Sequence, residues 1–131
     1  MVRDSSKMTN SYEHIDPDMV LNDQKVEESD GSLYQGQMII LVQDGQEHKV
    51  RHGQGIMRWA DGSKYIGDWR NDLSEGRGIF YYENGDIYIG EFVQDKCDGY
   101  GAYLYTQEKR RYEGQWKDSK EHGQGLDEQP D

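Results

Sequence analysis

The chain is short of cysteine and of long apolar runs, and each shortage excludes a class of protein. Its single cysteine, Cys97, allows no internal disulfide and favours a reducing compartment. No apolar run is long enough to span a bilayer, and the N-terminal residues lack the apolar segment of a signal peptide. We therefore expect a soluble intracellular protein.

Basic residues are also few, since the net charge is -11. Residues 1–32 carry a net -5, residues 33–126 carry -3 and residues 127–131 carry -3. Nucleic acid is thus an unsuitable ligand, because phosphate backbones are bound through clustered lysine and arginine. The one basic run, Lys109 to Arg111, is interpreted as a solvated loop, with contact to acidic lipid or protein as the less favoured alternative.

Residue patterns of enzymes are missing as well. The histidines are His14, His48, His52 and His122, and they form no zinc-binding motif. No serine lies in a Gly-x-Ser-x-Gly elbow, and the Gly-x-Gly pairs precede no helix that could bind phosphate. The sequence predicts no catalytic residue, no metal site and no cofactor.

An internal repeat is what the chain does contain. A Tyr-x-Gly-x-(aromatic or Met) segment precedes a Gly-x-Gly pair four times. The units are Tyr34–Met38 with Gly53–Gly55, Tyr65–Trp69 with Gly76–Gly78, Tyr88–Phe92 with Gly99–Gly101, and Tyr112–Trp116 with Gly123–Gly125. Tyr65 and Tyr88 are 23 residues apart, which suits two short strands and two turns. Each unit is predicted to be one β-hairpin.

Turn residues and alternation support an all-β fold. Asp61-Gly62 and Asn84-Gly85 separate aromatic, strand-forming segments, as hairpin turns do. Within one strand, Tyr65, Gly67 and Trp69 share a face of the sheet. Equivalent tyrosines should form one row along the sheet and the second aromatic residues another, with glycines between them.

These two rows predict a shallow groove. The residues predicted to bind a partner there are Tyr34, Tyr65, Trp69, Tyr88, Phe92, Tyr112 and Trp116. The structural glycines are Gly36, Gly53, Gly55, Gly67, Gly76, Gly78, Gly90, Gly99, Gly101, Gly114, Gly123 and Gly125. Tyrosine and tryptophan are typical interface anchors. The alternative is that the rings only pack the sheet and cover its glycines.

The order Tyr65-x-Gly-x-Trp69, Gly76-x-Gly78, Asn84-Gly-Asp86 resembles the MORN repeat family, over residues 33–126. The resemblance implies an elongated, twisted, single-layer antiparallel meander of β-hairpins that binds proteins or organises cytoskeletal and membrane-associated assemblies. The chain departs from the family at Asp72, Asp95 and Ser119, where glycine is usual, which leaves the turn type open. The first unit has Met38 in place of an aromatic residue.

Three segments are predicted along the chain. Residues 1–32 form a mostly irregular acidic arm, partly disordered or docked on a partner, with a short helix after Asp16 considered as an alternative. Residues 33–126 hold the four repeats, the last one truncated with a short second strand at an exposed edge, and residues 127–131 form an acidic tail. The eight extra residues of the first unit predict a longer hairpin with an apolar first strand, Met38–Val42.

The predicted function is a non-enzymatic scaffold that binds a helix or extended peptide of a larger assembly. Small chains made largely of such repeats resemble structural components of ciliary and flagellar axonemes, which predicts a cytoplasmic and cytoskeletal location. One alternative is a membrane-apposed tether that binds acidic phospholipid, which the negative charge disfavours. The other is self-association into a dimer or filament through the groove or the last strand.

Overall fold

A computed structural model describes the backbone of residues 14–130 and the side chains of residues 20–130. The described chain forms one open antiparallel sheet in which each strand pairs with the next along the sequence. The strands are β1 (His14–Glu27), β2 (Leu33–Gln43), β3 (Gln46–Arg58), β4 (Lys64–Arg70), β5 (Leu73–Tyr81), β6 (Ile87–Val93), β7 (Lys96–Tyr105), β8 (Arg110–Lys117) and β9 (Lys120–Glu128). The predicted single-layer meander is confirmed.

Two-residue turns join the strands within each repeat. Between β4 and β5, Asn71 has φ 48° and Asp72 has φ 73°, so both central residues lie in the left-handed region. Positive φ at both positions defines a type I′ turn, whose twist matches that of the flanking strands. The departure from glycine at Asp72 therefore leaves the turn type unchanged, because aspartate and asparagine tolerate this conformation better than most residues.

Longer turns join one repeat to the next. Between β3 and β4, Gly62 has φ 96°, while Asp61 Oδ1 accepts hydrogen bonds from the backbone N of Ser63 at 2.8 Å and from its Oγ at 2.6 Å. Between β5 and β6, Asn84 Oδ1 accepts from the backbone N of Asp86 at 2.9 Å. The Asp-Gly and Asn-Gly hairpin turns predicted from the sequence lie at these two connections.

The two-residue turns also link successive repeats. The backbone N of Asp95, in the turn between β6 and β7, donates to the Ser74 carbonyl at 3.0 Å. The Asp95 Oδ1 atom in return accepts from the Ser74 backbone N at 2.7 Å and from its Oγ at 3.0 Å. The same exchange joins Asp72 to Arg51 and Ser119 to Cys97. The residues that replace the family's glycine thus bond one hairpin to the previous one.

The N-terminal segment differs from its prediction. Residues 14–27 are strand β1, which pairs with β2 from His14 opposite Val42 to Glu27 opposite Leu33. Neither a short helix after Asp16 nor an irregular arm is correct for this stretch; the rest of the arm before residue 14 lies outside the described residues. The physical reason is that β2 offers a row of free backbone donors and acceptors, and Pro17 fits an edge strand near a register shift.

The sequence predicts that the first and the last hairpin of the repeat region both differ from an ordinary unit. The predicted longer hairpin is formed by β2 and β3, with 11 and 13 residues. Its side chains Ile39, Leu41 and Val50 are buried together in a small separate cluster. At the other end, β9 has nine residues, as β5 does, so its predicted shortness is wrong. As predicted, β9 is the edge strand of the sheet.

Replacing Asp95 by alanine should destabilise the sheet. Ser74 is buried, and its backbone N would lose the carboxylate that accepts its hydrogen bond. We expect a loss of about 1–3 kcal/mol in the free energy of unfolding, measured by urea denaturation. Asp95→Asn keeps the acceptor oxygen and tolerates positive φ, so it should remain within about 0.5 kcal/mol of wild type. Equal losses in both variants would contradict the role given to this oxygen.

Candidate functional site

Each repeat tyrosine lies across a pair of glycines on neighbouring strands. Tyr65 donates from its hydroxyl to the Asp68 carbonyl oxygen at 2.8 Å. Its ring covers Gly67 and Gly78, which are cross-strand partners, and a Cβ atom on Gly78 would overlap the Tyr65 ring. The equivalent hydroxyl bonds join Tyr34 to Gln37, Tyr88 to Glu91 and Tyr112 to Gln115. Ring packing therefore requires Gly78, and the close approach of the β5 backbone at Arg77 and Gly78 requires Gly67.

The first glycine of the Gly-x-Gly pair has a different task. Gly76 has φ 102° and lies in a bulge, since three residues of β5 stand opposite Asp68 alone. Such a positive φ favours glycine. The Asp68 Oδ2 atom accepts a hydrogen bond from the Arg77 backbone N in this bulge at 3.0 Å. One glycine thus permits the bulge, and the next receives the tyrosine ring.

The second aromatic row fills the space between the tyrosines. Trp69 meets Tyr34 and Tyr65 edge to face, with ring centroids 5.5 and 5.1 Å apart. Phe92 likewise meets Tyr65 and Tyr88 edge to face, with ring centroids 4.9 and 5.1 Å apart. The indole Nε1 atom of Trp69 donates to the Gly55 carbonyl at 3.1 Å. Edge-to-face contacts of this kind stabilise beyond the area they bury.

The structure brings together all the residues predicted for the groove, but it buries them. Their side chains are 0 to 5% exposed. These residues are Tyr34, Tyr65, Trp69, Tyr88, Phe92, Tyr112 and Trp116, and they belong to one hydrophobic cluster. They form the core on one side of the sheet, here called the ring face. Direct contact between these seven rings and a partner stays a prediction.

Another set of rings on the ring face is only partly buried, and sequence reasoning missed it. Trp59, Phe80, Tyr82, Tyr103 and Tyr105 pack against the buried cluster. Their centroids follow one another at 5.4, 4.5, 5.5 and 4.2 Å. We call this row the aromatic ladder. A signal was present in the sequence, because Trp59, Tyr82 and Tyr105 recur at intervals of 23 residues.

Hydrogen bonds hold the tyrosines of the aromatic ladder in place. Tyr103 donates from its hydroxyl to Asp86 Oδ2 at 2.9 Å, and Tyr105 donates to Glu121 Oε2 at 2.6 Å. The Tyr82 hydroxyl lies 3.7 Å from Cys97 Sγ. Burial raises the pKa of the Cys97 thiol, which keeps it protonated and unsuited to nucleophilic attack. Three of the five rungs are thus held by polar contacts, and Trp59 and Phe80 are held by ring packing.

A cavity of about 300 Å³ opens on the ring face beside the first rungs of the aromatic ladder. Its lining residues are Arg51, Trp59, Tyr65, Trp69, Asp72, Ser74, Phe80 and Asp95. The Arg51 guanidinium carbon lies 4.8 Å from the centroid of the Trp69 ring, and its Nε is 3.1 Å from Asp72 Oδ1. The cavity thus has an aromatic wall and a charged wall.

The opposite face of the sheet carries aliphatic and charged side chains. Cross-strand pairing aligns Ile66, Ile79 and Ile89 there. Ile89 is 45% exposed, and Tyr100 on the same face is 51% exposed. The two faces therefore differ in chemistry: one is aromatic and mostly packed, the other is mixed and open.

Comparison with known families identifies the repeat. The MORN repeat model matches residues 47–64, 65–87, 88–108 and 112–126, more than half of the chain. The chain belongs to the MORN repeat family. MORN repeats generally serve as modules of protein or membrane interaction. No curated protein matches the chain. The first MORN segment begins within β3, yet Tyr34 on β2 makes the same hydroxyl bond as the later repeat tyrosines.

Metal-ligand groups and membrane-spanning helices are both absent from the described residues. Among residues 14–130, no three His, Cys, Asp or Glu side chains are grouped as metal ligands. His52 instead accepts a hydrogen bond at Nδ1 from the Asn71 backbone N at 3.3 Å, and burial lowers its pKa. The described part of the MORN protein has no helix that is long and apolar enough to cross a membrane.

Removing the indole donor of Trp69 should weaken the fold. Trp69→Phe leaves the Gly55 carbonyl without its partner and shrinks a buried ring, so we expect a loss of about 1–3 kcal/mol in the free energy of unfolding. Trp59→Phe is the matched control, because Trp59 is only partly buried, and it should cost under about 1 kcal/mol. Urea denaturation compares the two. A larger loss at Trp59 would contradict this arrangement of the core.

Alkaline pH should unfold the sheet. Burial raises the pKa of Tyr34 to about 12 and also raises the pKa of Tyr65 and of Tyr88. An unfolded tyrosine has a pKa near 10. Above that pH the unfolded state loses protons that the folded state keeps, so stability is full below about pH 10 and falls above it.

Tyrosinate absorbance and far-ultraviolet circular dichroism, recorded together, check this pH dependence. Tyr34, Tyr65 and Tyr88 should ionise only as the sheet signal is lost, because burial raises their pKa values. Ionisation of all ten tyrosines near pH 10 in an intact sheet would contradict the burial of the first aromatic row.

Proposed function

We propose that this MORN-repeat protein is a non-enzymatic interaction module that binds a helix of a larger assembly on its ring face. The observation that carries the proposal is the aromatic ladder, a row of five partly buried rings on an open single-layer sheet. No second layer of the described chain covers this face. A one-layer sheet leaves a face that a partner can bury.

The spacing of the ladder favours a helix over an extended peptide. Its ring centroids are 4.2 to 5.5 Å apart. One turn of an α-helix rises about 5.4 Å, so side chains one turn apart can reach successive rungs. Alternate side chains of a strand are about 6.6 Å apart and fall out of step with the rings.

The partly buried rings of the aromatic ladder, and not the fully buried rows, should provide the contact area. Tyrosine and tryptophan give large contact areas and lose little rotamer entropy on binding, which suits interface anchors. The buried rows then act as the floor that fixes the ladder.

The assembly is proposed by analogy. Small MORN-repeat chains resemble components of cytoskeletal scaffolds and ciliary axonemes, and we place this protein there. The alternative of a membrane-apposed tether has less support, because the net charge of -11 opposes binding to an anionic leaflet. Self-association remains a further outcome for the binding experiment.

Affinity capture of the tagged protein from its native cell extract tests the proposed function. A Trp59→Ala, Tyr82→Ala double variant removes two rungs of the aromatic ladder and should lose the captured protein. Each anchor is expected to contribute about 2 kcal/mol of binding free energy. Tyr100→Ala is the matched control, because this ring is exposed on the opposite face and should leave capture unchanged.

The result counts only if circular dichroism and thermal melting show that each variant is folded. If the folded double variant captures the protein at the wild-type level, the aromatic ladder is not the binding surface. Binding of the wild type to vesicles with acidic lipid at physiological salt, with no protein captured, would favour the membrane tether. A concentration-dependent dimer that the double variant fails to form would favour self-association.

A further inference from the structure

The chain shows how its ring face holds an arginine. Arg51 places its guanidinium over the Trp69 ring at 4.8 Å and its Nε 3.1 Å from Asp72 Oδ1. The Nη2 atom also donates to the Asp72 backbone carbonyl at 3.1 Å. A cation on an aromatic ring with a carboxylate at its edge is a favourable pair of contacts for arginine. Arg110 repeats the arrangement over Tyr105, with Glu121 and Asp127 as its carboxylates.

The next repeat has the same backbone arrangement without the arginine. Ser74 takes the place of Arg51, and Asp95 takes the place of Asp72. The backbone N of Ser74 donates to Asp95 Oδ1 at 2.7 Å, the same distance as from Arg51 to Asp72. The serine side chain ends at Oγ, which also bonds Asp95. This repeat therefore presents the carboxylate but supplies no cation of its own.

Asp95 is open to solvent and has no ion-pair partner among the described residues. The following repeat has no carboxylate at this turn position, because Ser119 occupies the position equivalent to Asp95. Among the described residues, a carboxylate without an ion-pair partner thus occurs once at the second position of these turns, at Asp95. Asp95 lines the 300 Å³ cavity together with Trp59 and Phe80.

We propose that this cavity receives an arginine side chain of the partner helix. The methylene stem lies against Trp59 and Phe80, and the guanidinium bonds the Asp95 carboxylate, which has no ion-pair partner among the described residues. Arg51 and Asp72 already neutralise each other, so the cavity carries a net single negative charge from its lining residues. Charge complementarity and the internal example of Arg51 both favour this occupant.

The inference rests on the proposed function and specifies its partner. A helix on the aromatic ladder would place apolar side chains on successive rungs and one arginine at the end near Trp59. The apolar contacts supply most of the area, while the arginine fixes position and direction along the sheet.

The test uses the full chain and a small probe, acetyl-arginine methylamide, followed by amide chemical shifts in NMR. We expect saturable shifts at Ser74, Phe80 and Asp95 in the millimolar range, weaker at high salt. The citrulline analogue has the same shape without the charge and should give no saturable shift. Asp95→Asn should weaken binding by about tenfold or more, because it removes the charge and keeps the turn.

Asp118→Asn is the matched control, since it removes one charge from another two-residue turn with positive φ, away from the cavity. It should bind the probe as the wild type does. Equal binding of the citrulline analogue, no saturable shift, or unchanged affinity in folded Asp95→Asn would each overturn the arginine assignment. Such a failure leaves the proposed function standing if the Trp59→Ala, Tyr82→Ala variant still loses the captured partner, so the two claims fail separately.

Discussion

The fit of a tyrosine ring onto two glycines of neighbouring strands is the constraint on which the rest of this structure depends. A single-layer sheet has no second sheet to bury against, so it must make its core from its own side chains on one face. Tyr65 does this by lying flat over Gly67 and Gly78 and bonding the Asp68 carbonyl. The second aromatic row then fits edge-on between the tyrosines. The rings of both rows are thereby almost completely buried without a second layer.

Hydrogen bonds at the hairpin tips complement this packing. Asp72 and Asp95 accept the backbone N–H of the preceding repeat with their carboxylates, which a glycine could not do. Their positive φ values cost some free energy, and the bonds between repeats offset it. Aspartate at this turn position also contributes to the proposed binding site. The Asp95 carboxylate is exposed beside an aromatic cavity, so this residue serves both the fold and the proposed partner site.

The packing also separates two groups of aromatic residues that look alike in sequence. Trp69 and its equivalents are at most 5% exposed, whereas the ladder rings next to the longer turns are only partly buried. The proposed helix therefore contacts Trp59 and the other rungs of the ladder, with Trp69 and its equivalents as support. The N-terminal strand β1 covers the edge of β2, which leaves the ring face itself open along the repeats.

The sequence by itself determined the repeat, its hairpins and which face receives Tyr65, Gly67 and Trp69, because period, turn residues and strand alternation are local properties. The repeat also identified the aromatic residues that form the two buried rows. Only the tertiary structure decided which aromatic rings are buried, since burial depends on the strand register and on rings of other repeats, such as Tyr34 against Trp69, 35 residues apart. The same holds for strand β1, whose polar residues carry little local preference and which forms by pairing with the free edge of β2. Asp95 and its cavity likewise arise from contacts between repeats, which no single repeat contains.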